Sequence, residues 1–581
     1  MKRFKDPIYG YIDIDEKIVS GIIDTPEFQR LRYIKQTSYL PVYSAALHNR
    51  FVHSLGVFYL GKKAYEATKT TSGELLEKYG FTEELGHIFL LACLLHDVGH
   101  APFSHSGEGF YLDDTKTIYE SLREEVNDNM FSNDLDYYHQ NKKPAAPHEI
   151  MSVIVSLRRF SSYFKNEEMR SFFARCITGY KYRETEKNIK YSVYNAFISL
   201  LNSSTIDVDR LDYLIRDSFV MGYNSISIDY DRLLGSVVLV EIESPSEYAS
   251  VQLAYKKSAL SVIENVIYAH DSEKKWIQNH PVIQYEIFLI QRIIAEVKSK
   301  YKKRTDLDLF SYESLIPSEE NKSNAFYEET KEKINKVFDL MKEDNYENQK
   351  VIEELASAME KIDRLSLPMN ISSLCDDDII HLAKQENIIF YNELIHRGIR
   401  RHPIWKSESE YKVCIDGYVG EDINPKLQKE MEILTKFQNE ESPNHCIDEQ
   451  AIKHCNKCLQ DVDKETLSEL DRQIMRERYE LLLKWLTCFE GIYKEQGLRR
   501  FSFVIIPTSK FESSFKKSDL SKTLIYFSDS REIYELSKLI NLFSIKDDNR
   551  RKFFYVYYAK ESGEKIDPNF CGRAIAKQAL I

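Results

Sequence analysis

The sequence of 581 residues predicts a mainly α-helical fold with small β-hairpin elements and a C-terminal α+β appendage. Two observations lead to this prediction. Over residues 1–300, apolar side chains recur at three- and four-residue spacing, and Pro and Gly fall between the periodic segments. After residue 497, short β-branched and aromatic runs alternate with one helical pattern. The first half is therefore expected to form a helical bundle.

The first helix is predicted from its capping residues. Thr25 can cap a helix N-terminus, and Pro26 suits the first helical position, so a helix with one apolar face is expected from Pro26 to about Gln36. The same periodicity predicts helices over residues 51–69, 83–96, 148–164, 188–217, 254–300 and 464–496.

Strands are predicted where β-branched and aromatic residues cluster. Residues 236–242 and 249–253 are expected to pair as a hairpin, and the tail is expected to hold strands and a helix near 532–543. The tail strands are predicted at 501–506, 524–527 and 553–558. The predicted domains are a core at 1–300, a helical extension completing it at 301–405, a helical insertion with a Cys/His cluster at 406–496, and a small α+β region at 497–581.

Charge and composition exclude several classes of protein. Lys and Arg number 79 against 91 Asp and Glu, a net charge of −12 that argues against coating nucleic acid or an anionic membrane. The longest apolar run, Ile88 to Leu95, is far below the roughly 20 residues of a membrane span, and the N-terminus lacks a signal-peptide core. Nine scattered cysteines do not form a disulfide framework. A cytoplasmic protein without a membrane partner is therefore expected.

Histidines are concentrated in one part of the chain. Eight of the 15 lie between His48 and His148, and His96-Asp97 directly follows an apolar helix. An imidazole nitrogen and a carboxylate oxygen from one turn are ligands that divalent Mn, Fe, Zn or Ni accepts. His53 and an acidic residue of segment 207–212 could complete the set. A lone His-Asp pair is more often an ordinary hydrogen-bonded couple, but the conjunction of these separated pieces favours a metal site.

Six motifs occur in the order found in one enzyme family. They are Asp6-Pro7-Ile8-Tyr9-Gly10, the segment from Ile23 to Gln36, the segment from His48 to Val57, the segment from His96 to His105, His148-Glu149, and the segment from Asp207 to Tyr213. On these motifs the sequence resembles the HD-domain dNTP triphosphohydrolases, which include the vertebrate SAM-and-HD-domain enzyme and bacterial dGTPase-like proteins. The likeness covers residues 1 to about 235, fades through about 405, and implies an HD-domain helical bundle without a preceding SAM domain.

The resemblance implies roles for individual residues. The implied metal ligands are His53, His96, Asp97 and Asp209. The implied catalytic residues are His100, His105, Glu108, His148 and Glu149. The implied substrate-binding residues are Gln36, Arg50, Arg210, Tyr213 and Asp217. The implied allosteric nucleotide site comprises Lys2, Asp24, Gln29 and Arg32.

The resemblance also implies an activity. A divalent metal, whose identity among Mn, Fe, Mg, Zn and Ni is not distinguished, would support hydrolysis of a dNTP to a deoxynucleoside and triphosphate. A nucleotide-activated homo-oligomer, a dimer or tetramer, is implied as well, with a role in nucleotide-pool control or antiviral defence against phage. The alternatives are an HD-type nuclease or other nucleotide phosphohydrolase, and a nucleotide-sensing scaffold with little turnover. Nucleic acid binding is not indicated.

Two regions depart from the family pattern. In segment 254–285 the family places an Arg, a Tyr and a Lys that close over the substrate, and this sequence has Ala269 or His270, Ile277 and His280 near those positions. The lysines that could substitute are Lys256, Lys257, Lys274 and Lys275. Thr37 replaces a Leu that excludes a 2′-hydroxyl, so base and sugar preference are not predicted.

A second Cys/His group lies near the middle of the C-terminal half. A tetrahedral structural zinc could be held by Cys446, His454, Cys455 and Cys458. The spacing of this group is irregular for such a site, and reduced free thiols are the favoured interpretation.

Overall fold

The computed structural model describes residues 1–38, 41–110, 115–186, 188–223, 227–243, 249–305, 374–399, 401–419, 424–464, 468–509, 515, 517–540 and 552–580. The chain forms two compact units. The first unit comprises Met1–Ala269, Ile290–Ile388 and Lys517–Asn541, and the second comprises His270–Leu289, Ile389–Lys516 and Leu542–Ile581. The predicted helical extension at 301–405 lies largely outside the described residues, and the four-domain division stays a prediction.

The first unit is mainly helical, as predicted. Its α-helices are Glu16–Ile18, Pro26–Gln29, Arg50–Lys78, Glu83–Leu95, His105–Glu108, Thr115–Val126, Asn129–Gln140, Pro147–Arg159, Glu167–Thr178, Lys190–Leu201, Val208–Met221, Tyr230–Gly235, Asp376–Gln385, Lys517–Leu520 and Leu536–Leu539. Short π and 3-10 turns lie at Val19–Ile23, Arg30–Tyr33, Ser161–Tyr163 and Lys257–Ala259. The helices Leu260–Ser272 and Pro281–Thr305 include the unit boundaries at residues 269 and 289.

Side-chain caps start the helices that carry the site. Asn49 accepts a hydrogen bond from the amide of Val52, and Asp207 accepts one from the amide of Arg210. Such caps satisfy amide groups that have no partner within the helix. Helix Glu83–Leu95 is capped in the same way by Thr82 and is buried along most of its length. These helices therefore begin at fixed residues around one buried core.

The predicted helix from Pro26 to about Gln36 is wrong in its length. The α-helix ends at Gln29 and continues as one 3-10 turn to Tyr33. Ile34 is extended, and Lys35 pairs with Asn49 in an isolated bridge that draws the chain away from helical geometry. The Thr25 hydroxyl donates to the carbonyl of Ile22 instead of capping the helix.

The N-terminus forms a β-hairpin that the sequence did not predict. Strands Lys2–Asp6 and Gly10–Ile14 pair antiparallel, and Gly10 has a φ of 79°, which glycine adopts without strain. The motif residues Asp6 and Tyr9 lie at this turn. The hairpin thereby places two polar side chains beside the helical core.

A four-stranded sheet completes the first unit. The predicted pairing of 236–242 with 249–253 is confirmed, since Val237–Glu243 and Ala249–Lys256 are antiparallel. Ala249–Lys256 also pairs in parallel with Leu524–Phe527, which pairs with Glu532–Glu535. The helix predicted near 532–543 is therefore wrong at its start, where cross-strand pairing competes with helix formation. Residues 541–543 lie outside the described part of the chain.

The second unit combines helices with a three-stranded sheet. Strand Lys552–Ala559 lies between Arg401–Pro403 and Phe503–Ser509 and is antiparallel to both. The helices and π or 3-10 turns are Glu273–Gln278, Ile389–His396, Glu408–Tyr411, Lys412–Asp416, Asn424–Glu440, Glu449–Asp461, Val462–Lys464, Glu469–Glu495 and Pro568–Leu580. The predicted helix at 464–496 is confirmed over Glu469–Glu495, whereas the C-terminal helix was not predicted. None of the described helices is long and apolar enough to cross a membrane.

Candidate active site

Four side chains converge between three helices of the first unit. His53 Nε2 lies 3.0 Å from Asp209 Oδ1 and 3.3 Å from His96 Nε2. Asp97 Oδ2 lies 3.6 Å from His53 Nε2 and 3.5 Å from His96 Nε2. His96 Nε2 lies 3.6 Å from Asp209 Oδ1. The structure thus brings together all four residues predicted as metal ligands.

These separations fit a divalent transition metal. Ligands about 2.1 Å from one ion lie roughly 3.0–3.5 Å from each other in octahedral or tetrahedral geometry. Two imidazole nitrogens and two carboxylates are also the donor types that such ions accept. Asp209 is the exposed member, with a side chain 39% accessible, whereas His53 is fully buried. The group therefore opens toward solvent on its Asp209 side.

Neighbouring groups hold both imidazoles in the tautomer that a metal requires. His53 Nδ1 donates to Asp212 Oδ2 at 2.8 Å, and His96 Nδ1 donates to the carbonyl of Cys93 at 3.0 Å. Because carboxylates and carbonyls only accept, each Nδ1 carries a proton, which leaves Nε2 as the nitrogen that would bind a metal. A carboxylate behind a ligating histidine is a common device for fixing ring orientation.

Asp212 lies behind His53, a position that the sequence analysis did not predict for this member of segment 207–212. It accepts from Tyr9 Oη at 2.7 Å and from Arg216 Nε and Nη2 at 2.9 and 3.0 Å. Arg216 in turn contacts Asp6 at 2.9 Å. A Cβ at Gly56 would meet Asp212 Oδ1 at 1.9 Å, so glycine is required there. Its position three residues after Asp209, on the same helix face, was the available sequence signal.

Electrostatics in the cluster favour a bound cation. Burial raises the pKa of Asp97, but the nearby Arg50, His96 and His53 together outweigh it and hold that pKa well below its usual value. Burial lowers the pKa of His53, whereas its hydrogen bonds to the carboxylates of Asp209 and Asp212 raise it to about 10. The carboxylates therefore attract positive charge to His53 Nε2, where a metal would replace the proton.

A second group of titratable side chains lies next to the first. Glu108 Oε1 lies 2.7 Å from His148 Nδ1, 2.9 Å from His105 Nδ1 and 3.6 Å from His100 Nδ1. The rings of His100 and His148 stack at 4.2 Å, and His100 Nε2 lies 3.6 Å from Asp97 Oδ1. His105 is the exposed member, at 66%. The structure therefore brings four of the five predicted catalytic residues together.

The fifth predicted catalytic residue, Glu149, has a different environment. Its Oε2 accepts from the amide of Ala146 at 2.6 Å, and its Oε1 accepts from Asn202 Nδ2 at 2.7 Å. Both oxygens are therefore used at the N-terminus of helix Pro147–Arg159. Glu149 therefore lies outside the group and fixes the start of the helix that carries His148, and its catalytic role stays a prediction.

Two histidines of this second group differ in their protonation at neutral pH. Burial lowers the pKa of His148, but its hydrogen bond with Glu108 raises it to about 9, so this ring is protonated at neutral pH. Burial also lowers the pKa of His100, and Arg50 lowers it further, so this ring is neutral. The cluster thus holds one proton donor and one neutral imidazole side by side.

Arg50 joins the two groups. Its Nη1 donates to Asp97 Oδ2 at 2.8 Å, and its Nε donates to Ser104 Oγ at 3.0 Å. Its Nη2 is buried and has no hydrogen-bond partner among the described residues. A guanidinium with one free buried nitrogen beside a cation site suits an anionic group such as a phosphate oxygen.

The other predicted substrate-binding residues form two sets. His48 Nε2 lies 2.7 Å from Asp217 Oδ1, and the amide of Gln36 donates to the carbonyl of His48, which places Gln36 and Asp217 at one side of the site. Arg210 donates to the carbonyls of Thr205 and Ser203 and also interacts with Tyr213. Arg210 is therefore bound to its own loop in this structure.

The predicted allosteric residues form contacting pairs. Lys2 Nζ lies 3.6 Å from Asp24 Oδ2, and Arg32 Nε donates to Gln29 Oε1 at 2.8 Å. The Arg32 guanidinium also lies 3.4 Å from the centre of the Phe51 ring. These contacts are compatible with a nucleotide site and equally with a packed polar surface.

The structure shows the environment of the two regions that depart from the family pattern, segment 254–285 and Thr37. Ala269, His270 and Ile277 are buried, and Lys257 and Lys275 lie against the rings of Phe527 and Trp276. The structure therefore does not present a substitute Arg-Tyr-Lys set at these positions. Thr37 Oγ1 is buried without a hydrogen-bond partner among the described residues.

The alternative of a structural zinc site is not supported. Cys446 Sγ lies 3.4 Å from Asp448 Oδ2, Cys455 Sγ donates to the carbonyl of Tyr479, and Cys458 Sγ lies 3.4 Å from His454 Nε2. Among the described residues, the potential metal groups of three or more ligands are the two histidine clusters above. All nine cysteines are free thiols, the favoured interpretation from the sequence.

Comparisons with known proteins agree with this site. Residues 50–171 match the HD domain family. The deoxynucleoside triphosphate triphosphohydrolase SAMHD1 of Xenopus laevis is 33% identical over 223 residues, 37% of this chain and 34% of that protein. Human SAMHD1 is 45% identical over 114 residues, 19% of this chain and 17% of that protein. The uncharacterized protein YwfO of Bacillus subtilis is 28% identical over 302 residues, 51% of this chain and 56% of that protein.

A solved structure extends the likeness of fold. A phosphohydrolase of Bacteroides thetaiotaomicron has a TM-score of 0.51 at 16% identity, with 97% of this chain and 100% of that chain covered. The chain spans about half or less of the length of the curated relatives it matches. The histidine–aspartate site lies largely within residues 50–171, the part of the chain that matches the HD domain family. Over part of its length, the chain is similar to the deoxynucleoside triphosphate triphosphohydrolases SAMHD1.

Proposed function

We propose that this chain is a metal-dependent deoxynucleoside triphosphate triphosphohydrolase that converts a dNTP and water to a deoxynucleoside and triphosphate. The observation that carries the proposal is that His53 and His96 each lie 3.0–3.6 Å from both Asp97 and Asp209, beside the unpartnered Nη2 of Arg50. The names of the SAMHD1 relatives support the substrate class.

Each set of site residues would have a separate role in the hydrolysis. A divalent ion held by the four ligands would lower the pKa of a coordinated water and polarise a phosphoryl oxygen. Arg50 offers its free Nη2 to an α-phosphate oxygen, which offsets charge at the phosphorus. Asp217 and Gln36, linked through His48, would receive the sugar. These contacts would hold the α-phosphorus in the open side of the cluster, next to Asp209.

The second group would supply the proton. Attack of water on the α-phosphorus forms a new P–O bond and breaks the bond to O5′, and the departing O5′ needs a proton. His148 is protonated at neutral pH, and Glu108 joins it to the exposed His105. We therefore assign His105 as the general acid that protonates the departing O5′. Glu108 would orient His105, and His148 would supply it with a proton through Glu108.

The proposal is tested by identifying the products. The purified chain is incubated with Mn²⁺ and each of the four dNTPs, singly and mixed, and the products are separated by anion-exchange chromatography. We expect deoxynucleoside and inorganic triphosphate. Pyrophosphate or phosphate would indicate another nucleotide phosphohydrolase, and binding without any product would indicate a nucleotide sensor.

The same assay tests a second proposal, nucleotide activation in a homo-oligomer. Lys2, Asp24, Gln29 and Arg32 would hold the activating nucleotide, by their likeness to the family positions and by the contacts described above. Turnover in mixtures that exceeds the sum of the single reactions, together with a larger particle mass, is the expected result. Equal rates and an unchanged mass would contradict activation.

The pH dependence of turnover should reveal the proton-donating pair. Activity is expected to fall as pH rises through about 9, because His148 then loses the proton that Glu108 would pass to His105. Glu108→Gln removes the carboxylate that raises this pKa, so burial dominates and the alkaline limb should move below about pH 6.5. The measurement is kcat between pH 6 and 10, with the exposed Glu124→Gln as matched control. An alkaline limb unchanged in Glu108→Gln would refute the assignment.

A further inference from the structure

The loop that leads into His105 has a strained backbone. Phe103 and Ser104 have φ values of 61° and 52°, in the region that residues with a side chain rarely adopt. A residue in this conformation is strained and persists only where its surroundings fix it. The loop connects the metal-binding turn at His96-Asp97 to His105, so its conformation sets where His105 stands.

A residue far away in the sequence fixes this loop. Asp376 Oδ1 accepts from the amide of Phe103 at 2.6 Å, across 273 positions of chain. Its Oδ2 accepts from the amide of Lys35 at 3.0 Å. Asp376 is only 3% exposed, so these two backbone donors have no competition from bulk water. One carboxylate thus binds the strained loop to the segment that carries Gln36.

Arg30 also connects the chain just before Asp376 to the loop that leads into His105. Its Nη1 donates to the carbonyl of Leu374 at 2.7 Å, and its Nη2 donates to the carbonyls of Val98 at 3.1 Å and His100 at 2.6 Å. A buried guanidinium and a buried carboxylate therefore join the start of helix Asp376–Gln385 to residues 98–103. Such groups are stable when buried only if their hydrogen bonds are made.

We infer that Asp376 is a positioning residue, which holds Phe103 and Ser104 in their left-handed conformation and thereby places His105 beside Glu108. The effect of Asp376 on turnover rests on the proposed function. The effect of Asp376 on the conformation of the loop does not. Both carboxylate oxygens are needed, because each accepts from one backbone amide. Burial raises the pKa of Asp376 to about 6, with the two backbone hydrogen bonds opposing it, so the group is ionised at pH 7.5.

The test compares Asp376→Asn with Asp377→Asn at pH 7.5. Asparagine keeps the size of Asp376 but offers one acceptor oxygen and turns an NH₂ group toward the other amide. Asp377 is the next residue of the same helix and is exposed, which makes it a matched control. Hydrogen exchange of a peptide covering residues 99–107, kcat, KM and bound metal are measured for each protein. If Asp376→Asn does not fold, Asp376→Glu, which keeps a displaced carboxylate, takes its place.

The expected result for Asp376→Asn is roughly tenfold or more faster exchange in peptide 99–107, with exchange of helix Lys190–Leu201 unchanged. A kcat about 10- to 100-fold lower, with KM and metal content unchanged, should accompany it because His105 is misplaced. Unchanged exchange at 99–107 would overturn the inference. Faster exchange with an unaltered kcat would overturn the positioning role. A wild-type chain without turnover would count against the proposed function alone, since exchange still measures the hold on the loop.

Discussion

Replacing His96 and Asp97 together with alanine is expected to abolish bound metal and dNTP hydrolysis in the same protein. The two side chains supply two of the four converging donors, and the remaining His53 and Asp209 lie on other helices. Two ligands do not hold a divalent ion against water at micromolar concentration. Metal content by elemental analysis and product formation by chromatography measure the two losses.

His87→Ala is the matched control for this change. His87 lies on helix Glu83–Leu95, which leads into His96, but it is exposed and outside the cluster. Wild-type metal content and rate are expected for this variant. Full turnover by the His96→Ala/Asp97→Ala protein would refute the site assignment, and retained metal with lost turnover would place the metal elsewhere.

Asp212→Asn is expected to weaken metal binding without removing a ligand. The carboxylate holds the Nδ1 proton of His53 and also pairs with the buried Arg216. Loss of a carboxylate behind a ligating histidine costs 10- to 100-fold in metal affinity in comparable sites, by order of magnitude. Leaving a buried arginine with only Asp6 as counter-charge should also lower the free energy of unfolding by about 3 kcal/mol.

Tyr9→Phe separates these two effects. It removes the hydroxyl that donates to Asp212 and leaves the carboxylate in place. A loss of about 1 kcal/mol in stability with nearly unchanged metal affinity is therefore expected. Metal titration and thermal unfolding of both variants are the measurements. Wild-type metal affinity in Asp212→Asn would show that His53 is oriented by its helix alone.

Sequence reasoning reached the candidate metal site because its residues are chemically distinctive and lie in ordered motifs. His53, His96, Asp97 and Asp209 are donor types whose conjunction is uncommon, and the structure brings them together. The hairpin of Val237–Glu243 and Ala249–Lys256 was predictable for a similar reason, since its partners are close in sequence.

The missed features depend on contacts between distant parts of the chain. Asp376 reaches Phe103 over 273 positions, and nothing local in its acidic stretch distinguishes it from a helix start. Strand Leu524–Phe527 pairs in parallel with a strand some 270 residues earlier, which periodicity cannot reveal. The helix from Pro26 stops early because Lys35 pairs with Asn49, a tertiary contact that overrides local propensity.

The location of the broken bond tests the central claim most directly. Hydrolysis of a dNTP by the wild-type chain in H₂¹⁸O, followed by mass spectrometry of both products, shows which atom water attacks. Attack at the α-phosphorus with departure of O5′ predicts one ¹⁸O in the triphosphate and none in the deoxynucleoside. Formation of deoxynucleoside monophosphate and pyrophosphate, whichever fragment carries the label, would contradict a triphosphohydrolase built on this site.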